Sequence, residues 1–160
     1  MTEIKLLSVD VINEIAAGEV IENPNAVVKE LIENSIDSKC SRVTVEIVSG
    51  GIKKISVSDD GRGIDEKYLE KAVQRHATSK MYSDSLKNIN SLGFRGEALY
   101  AIANASDLTI ISRNKAMSEA KELKVLFGKV IKNTPAKGNN GTTVIVEDLF
   151  KKLPVRRKFL

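Results

Sequence analysis

The sequence predicts a two-layer α+β fold, with helices on one face of a mixed, mainly antiparallel sheet. Three observations support this fold class. Hydrophobic residues recur with a period near 3.6 in some segments and near 2 in others, and glycine-containing turns separate the segments. The chain shows no internal repeat, and its 160 residues, with 42% hydrophobic and 29% charged side chains, suit one globular domain. Helices that alternate with short strands favour two packed layers.

The first part of the chain predicts two helices. A short helix is expected over residues 10–17 and ends at Gly18. A stronger helix is expected from Asn23 to about Ser38, because Asn23 suits an N-cap and the proline after it suits a first helical position. We expect its core face to contain Val28, Leu31, Ile32 and Ile36.

Strand signals follow this helix. Residues 42–48 alternate in polarity, Gly50 and Gly51 supply a hairpin turn, and residues 52–58 form a second strand. The remaining elements are expected as a helix over 65–76, a long polar loop over 77–93, a helix over 95–104, and strands over 108–112, 122–127 and 142–146, with a loop over 133–141 before the last strand.

Composition limits the possible functions. The net charge of +4 permits an anionic partner such as nucleotide or nucleic acid. The lone Cys40 excludes an internal disulfide or a multi-cysteine zinc site. No apolar run reaches the ~20 residues that cross a bilayer, so we expect no membrane partner. A basic stretch over 151–158 precedes an abrupt end of the chain, and we expect a fragment of a longer protein.

The second helix places three polar side chains on one side. Glu30, Asn34 and Asp37 are spaced i, i+4 and i+7, with Glu33 close by. A solvated polar face is the ordinary interpretation. Exposed acids on a helix are often paired with a lysine or arginine at i+4, and we expect no such pairs here, so this interpretation is less favoured. A carboxylate one turn from an amide oxygen can also act as a base beside a Mg²⁺ ligand.

Two glycine loops are further candidates for a binding site. Residues 59–63 (DDGRG) follow directly on a strand, and residues 93–96 (GFRG) open a helix whose free N–H groups suit an anion. Each loop is also compatible with a plain turn. The sequence contains neither the P-loop motif G-x-x-x-x-G-K-[ST] nor the dinucleotide-binding motif G-x-G-x-x-G. Between them, the polar residues Thr78, Ser79 and Lys80 are good phosphate donors.

Six segments, taken together, resemble the MutL family of mismatch-repair ATPases, which belongs to the GHKL superfamily. They are residues 15–20 (IAAGEV), 28–35 (VKELIENS), 59–63 (DDGRG), 75–80 (RHATSK), 93–99 (GFRGEAL) and 141–143 (GTT). The resemblance implies a Bergerat α/β sandwich, with residues 1–160 as an N-terminal GHKL ATPase domain. It further implies that a second domain and a C-terminal dimerisation domain are missing here.

The resemblance also implies a role for individual residues. Glu30 resembles the general base, and Asn34 resembles the ligand of Mg²⁺. Asp59 resembles the carboxylate that binds the adenine amino group, and Thr142 reaches the same group through water. Gly63 would lie against the base, Thr78, Ser79 and Lys80 would belong to a lid, and Gly93, Phe94, Arg95 and Gly96 would wrap the phosphates. Asp60 departs from the asparagine of many relatives and is expected to add charge near the base.

The implied activity is a Mg²⁺-dependent ATPase that acts as a switch in DNA mismatch repair. ATP would close the lid and bring two chains together through their N-terminal regions, as a homodimer or a heterodimer with a paralogue. Residues 4–15 are apolar enough for such an arm, but for a monomer without nucleotide we expect an ordinary N-terminal strand and helix packed on their own core. The implied partners are adenine nucleotide, a mismatch-recognition protein, other repair proteins and, weakly and without sequence preference, DNA. We expect the fragment itself to be slow or inactive, because a lysine from the second domain is missing. Two alternatives are the ATPase region of a type II topoisomerase subunit and a nucleic-acid-binding module without catalysis.

Overall fold

The computed structural model describes residue 21 and residues 23–74 and 98–152. The two helices are α1 (Pro24–Asp37) and α2 (Ala98–Ala105). The six strands are β1 (Val43–Val48), β2 (Lys54–Asp59), β3 (Asp107–Arg113), β4 (Ala120–Leu126), β5 (Lys129–Ala136) and β6 (Gly141–Glu147). The expected helix over 10–17, the loop over 77–93 and the first residues of the helix over 95–104 lie outside the described residues.

The six strands form one sheet in the order β1-β2-β6-β3-β4-β5. Every pairing among the described residues is antiparallel, so the expectation of a mixed sheet is corrected there. Two rows of paired side chains cross the sheet on one face and pack in the core with residues of both helices. The rows are Ile55, Val146, Leu108 and Val125, and Val57, Val144, Ile110 and Leu123. The predicted two-layer α+β architecture is therefore confirmed.

Helix α1 begins where the sequence predicts. Asn23 has an extended backbone, and its side chain accepts a hydrogen bond from the Ala26 amide at 3.0 Å. Its buried residues are Val27, Leu31 and Ser35, whereas Ile36 is 54% exposed. The predicted core face is therefore wrong for Ile36. The helix turns Ser35 inward instead, where the Ser35 hydroxyl bonds to a carboxylate at the end of β2.

Two other predictions are corrected. Residues 66–73 form two short 3₁₀ turns, Glu66–Tyr68 and Lys71–Val73, instead of the described part of a helix over 65–76. Leu69 and Val73 are buried, so the apolar residues of this segment pack in the core as expected. The backbone hydrogen bonds are of the i→i+3 type, which form 3₁₀ turns and not an α-helix. The expected loop over 133–141 is shorter, because Lys129–Ala136 forms the edge strand β5.

Candidate functional site

Side chains from four elements meet at one end of the sheet. Asp59 ends β2 and pairs in register with Thr142 near the start of β6, which pairs in turn with Ser112 of β3. Helix α1 contributes Ser35, and the loop after β2 contributes Gly63. We call these five residues, Ser35, Asp59, Gly63, Ser112 and Thr142, the strand-end site. Asp59, Gly63 and Thr142 were predicted; Ser35 and Ser112 were not.

Asp59 is held by three hydrogen-bond donors. Its Oδ1 accepts from the Gly61 amide at 2.9 Å and from the Thr142 amide at 3.2 Å. Its Oδ2 accepts from the Ser35 hydroxyl at 2.7 Å, and Ser35 is only 3% exposed. A carboxylate oxygen has about two acceptor positions, so Oδ2 can accept one more donor. The carboxylate is therefore fixed in orientation, and among the described residues one acceptor position of Oδ2 stays open.

Two glycines allow the backbones at this end to approach closely. Gly63 has φ of +74°, and a Cβ added to it would collide with the Arg113 carbonyl oxygen. Gly141 has φ of +125°, and a Cβ there would collide with the Asp59 carbonyl oxygen. Both backbone conformations favour glycine. The tight contacts draw the loop after β2 and the start of β6 against the strand ends.

Ser112 connects three segments of the strand-end site. It is 1% exposed, and its Oγ accepts a hydrogen bond from the Ile64 amide at 2.7 Å. The same Oγ lies 2.7 Å from the Thr142 Oγ1 and donates to the Gly141 carbonyl at 3.2 Å. Sequence patterns gave no sign of this role, because it depends on the pairing of β3 with β6.

Asp60 has a different role from its neighbour. Its carboxylate accepts from the Ser41 amide at 2.8 Å, the Ser41 hydroxyl at 2.6 Å and the Arg42 amide at 3.0 Å. These bonds, the Ser41 hydroxyl first, lower the pKa of Asp60 to about 2. The side chain thus holds the turn between α1 and β1, and the expectation that its charge lies near a base stays a prediction.

Glu30 and Asn34 lie one turn apart on α1, and both are half-buried. Asn34 precedes Ser35, so it lies next to the contact between α1 and Asp59. Glu33 forms an i,i+4 ion pair with Lys29 at 4.0 Å, which corrects the expectation that no basic residue pairs with these acids. Half-buried polar groups on the helix turn that borders the strand-end site are compatible with ligand contact.

Asn34 is the predicted Mg²⁺ ligand, and the side chains around it show which mode of binding is possible. Within residues 23–74 and 98–152, no three His, Cys, Asp or Glu side chains cluster closely enough to hold a metal. A Mg²⁺ ion bound through nucleotide phosphates requires only one or two protein oxygens, so the Asn34 amide oxygen fits this mode of binding. The predicted phosphate residues Thr78, Ser79, Lys80, Gly93, Phe94, Arg95 and Gly96 lie outside the described residues.

An open groove of about 320 Å³ lies at the same end of the sheet. Ser58, Ile111 and Thr143 line it, and these residues alternate with the strand-end site along β2, β3 and β6. Since neighbouring strand residues point to opposite faces, the groove opens mainly on the face away from the helices. Asp59 and Thr142 also line the groove, so it borders the strand-end site.

Comparison with known proteins defines the class first. Residues 21–146 match the family model described as histidine kinase-, DNA gyrase B- and HSP90-like ATPase, and the chain belongs to this family. Among solved structures, it is similar to the Aquifex aeolicus MutL ATPase domain complexed with ADP, with a TM-score of 0.70 and 38% identity over 88% of this chain and 48% of that chain. It is also similar to the N-terminal domain of a DNA repair protein, with a TM-score of 0.79 and 33% identity over 96% of this chain and 45% of that one.

Within that class, the chain corresponds to the ATPase region of MutL proteins. It is 50% identical to the DNA mismatch repair protein MutL of Acidiphilium cryptum, over 98% of this chain and 27% of that protein. It is 47% identical to MutL of Coxiella burnetii, over 100% of this chain and 28% of that protein. The chain thus spans about a quarter of the length of these relatives. The predicted family resemblance and fold are confirmed. Among the described residues, neither helix is long and apolar enough to cross a membrane.

Proposed function

We propose that this chain binds an adenine nucleotide with Mg²⁺ at the strand-end site and takes part in ATP hydrolysis. The observation that carries the proposal is the anchored carboxylate of Asp59, which keeps one acceptor position open among the described residues, close to Gly63 and Thr142. Membership of the ATPase family and similarity to an ADP-bound MutL domain support it.

Asp59 would recognise the base. Three protein donors fix its carboxylate, so little side-chain entropy is lost when a ligand amino group donates to Oδ2. A charge-assisted hydrogen bond of this kind contributes about 1.5–3 kcal/mol. Gly63 would hold the loop after β2 beside the base, because its φ of +74° and its close approach to the Arg113 carbonyl both favour glycine.

Glu30 and Asn34 would act at the phosphate end. When bound, Mg²⁺ neutralises phosphate charge during phosphoryl transfer. Asn34 would supply an amide oxygen to that ion, and Glu30 would orient a water molecule and accept its proton. Phosphoryl transfer depends mainly on positioning and charge, and the placement of Glu30 and Asn34 one helical turn apart supports these two roles.

We also propose the wider role that the MutL resemblance implies. In the longer protein, nucleotide would close residues 77–93 as a lid, with Thr78, Ser79, Lys80 and the 93–96 loop on the phosphates. Two chains, identical or paralogous, would associate through residues 4–15, and the assembly would act with a mismatch-recognition protein, other repair proteins and DNA. Similarity to mismatch-repair proteins favours this role over the topoisomerase and non-catalytic alternatives.

A calorimetric titration with ADP and Mg²⁺ tests the binding proposal. Asp59→Asn replaces the open acceptor with an amide and should weaken ADP binding about tenfold or more, since one charge-assisted hydrogen bond is lost. Asp60→Asn is the matched control, because Asp60 faces the 41–42 turn, and it should keep wild-type affinity at pH 7. Equal affinities for the two variants would exclude Asp59 as the base-recognition residue.

Turnover tests the proposed role of Glu30. In the longer protein that carries this region, Glu30→Ala removes a base without removing the Asp59 contact. Nucleotide affinity should therefore stay within about threefold while kcat falls about 100-fold or more. Steady-state phosphate release and nucleotide titration give the two numbers. A parallel loss of affinity and turnover would instead indicate that Glu30 stabilises the helix.

A further inference from the structure

We propose that Ser112 is a positioning residue for base selectivity. It fixes the Thr142 hydroxyl as a hydrogen-bond acceptor, and the strand-end site therefore selects a 6-amino purine over a 6-oxo purine. This inference rests on the proposed function, because it assumes that a nucleotide base lies beside Asp59 and Thr142.

The first step is the hydrogen-bond arrangement around Ser112. Its hydroxyl has one hydrogen to donate and two acceptor positions. The Ile64 amide can only donate, and it lies 2.7 Å from the Ser112 Oγ. The Gly141 carbonyl can only accept, at 3.2 Å. The third partner, the Thr142 hydroxyl at 2.7 Å, can do either.

One arrangement satisfies all three contacts. If Ser112 gives its hydrogen to the Gly141 carbonyl, then Thr142 must donate to Ser112, and both acceptor positions of Ser112 are filled. If Ser112 donates to Thr142 instead, the contact with the Gly141 carbonyl is lost. Since Ser112 is 1% exposed, water does not readily replace a lost partner, and the first arrangement is favoured.

The second step concerns what Thr142 then offers a ligand. Its single hydroxyl hydrogen is used on Ser112, so only acceptor positions of its Oγ1 remain. Asp59 is its register partner across β2 and β6 and shares its face of the sheet. The Asp59 carboxylate accepts all three of its hydrogen bonds, so it too can only accept a hydrogen bond from a ligand. The strand-end site therefore presents two acceptors to the base.

Two acceptors suit an exocyclic amino group, which has two hydrogens to donate directly or through a water molecule. A 6-oxo group would bring an oxygen lone pair toward these acceptors, with no hydrogen between them. A site made to accept discriminates against a group that cannot donate, because its polar atoms are then left unpaired. Ser112 contributes to this selectivity without itself contacting the base.

The test compares the affinities of ADP and inosine diphosphate, with Mg²⁺, by calorimetric titration. Ser112→Ala frees the Thr142 hydroxyl to donate, so the preference for ADP should fall about fivefold to tenfold, mainly through tighter binding of inosine diphosphate. In a Thr142→Val background the acceptor is absent, and adding Ser112→Ala should not change the preference further. This double-mutant cycle separates an effect through Thr142 from a general loss of structure.

Thermal unfolding of each variant shows whether it is folded. If Ser112→Ala does not fold, Ser112→Cys keeps the side-chain shape but gives a weak acceptor for Thr142, and it should lower the preference in the same direction. A folded Ser112 variant with the wild-type preference for ADP would overturn the inference and leave the proposed function intact. If the wild-type chain binds neither nucleotide, the proposed function fails first, and this inference fails with it.

Discussion

Two neighbouring aspartates show how position decides the role of one residue type. Asp59 receives donors from α1, from its own loop and from β6, and it keeps an open acceptor position. Asp60 receives three donors from residues 41 and 42 and is exposed. The first carboxylate is suited to a ligand, and the second closes a turn.

Asp60 gives a prediction for stability at acid pH. Its pKa is about 2 in the folded chain and 3.8 as an ordinary side chain, so the unfolded chain binds the proton more readily. Its contribution to stability is therefore nearly complete by about pH 5, begins to fall near pH 3.8 and is lost as the pH falls toward 2. Denaturant unfolding of wild type and Asp60→Asn should show a stability difference that is constant above about pH 5 and shrinks through this window.

The difference between the two proteins isolates Asp60, because other carboxylates titrate in both. Asp65 belongs to that background: the Lys67 amide lowers its pKa first, and Asn114 lowers it further. A stability difference that stays constant down to pH 2 would contradict the assigned hydrogen bonds of Asp60.

At the residue scale, the sequence identified three residues of the strand-end site but not the two serines that support them. Asp59, Gly63 and Thr142 lie in short motifs that follow or begin a strand, and such motifs can be recognised without a structure. Ser35 and Ser112 act only because α1 packs on β2 and because β3 pairs with β6 in one register. Serine in those positions has no local signature, so contacts between distant segments were needed to find them.

Among the elements, α1 shows what local signals predict and what they do not. The Asn-Pro pair predicts its first residue because capping is a local interaction. Its orientation depends on the sheet. Ser35 is buried at the carboxylate of Asp59, while the more apolar Ile36 stays 54% exposed. The face of α1 that packs on the sheet is therefore rotated from the one that hydrophobic periodicity predicts, and the hydrogen bond from Ser35 to Asp59 accompanies this orientation.

Strand β5 was missed for a related reason. It is an edge strand, so its side chains are mostly exposed and its polarity does not alternate in the way of a half-buried strand. Pro135 also argues against a central strand but is tolerated at an edge. Backbone hydrogen bonds to β4 stabilise this strand, and its amino-acid composition gives no sign of them.

Across the whole molecule, the strand-end site and the β4–β5 hairpin lie at opposite ends of the sheet. Asp59, Ser112 and Thr142 form one register row near one end, whereas Leu126 pairs with Lys129 beside the hairpin turn at the other. The buried rows between them belong to the central strands. The packed core therefore lies between the strand-end site and the hairpin.

Hydrogen exchange measured by mass spectrometry can test this separation. In the free chain, amides of the central strands β6 and β3 should exchange most slowly, and those of the edge strands β1 and β5 faster, because edge strands pair on one side only.

Addition of ADP and Mg²⁺ should slow exchange in residues 34–38, 58–64 and 141–143. Residues 126–130 should not change, because they lie at the far end of the sheet. The Asp59→Asn variant, at the same nucleotide concentration, should lose most of the added protection. Protection of the hairpin equal to that of residues 58–64 would mean that nucleotide tightens the sheet as a whole, and the strand-end site would then not account for where the ligand binds.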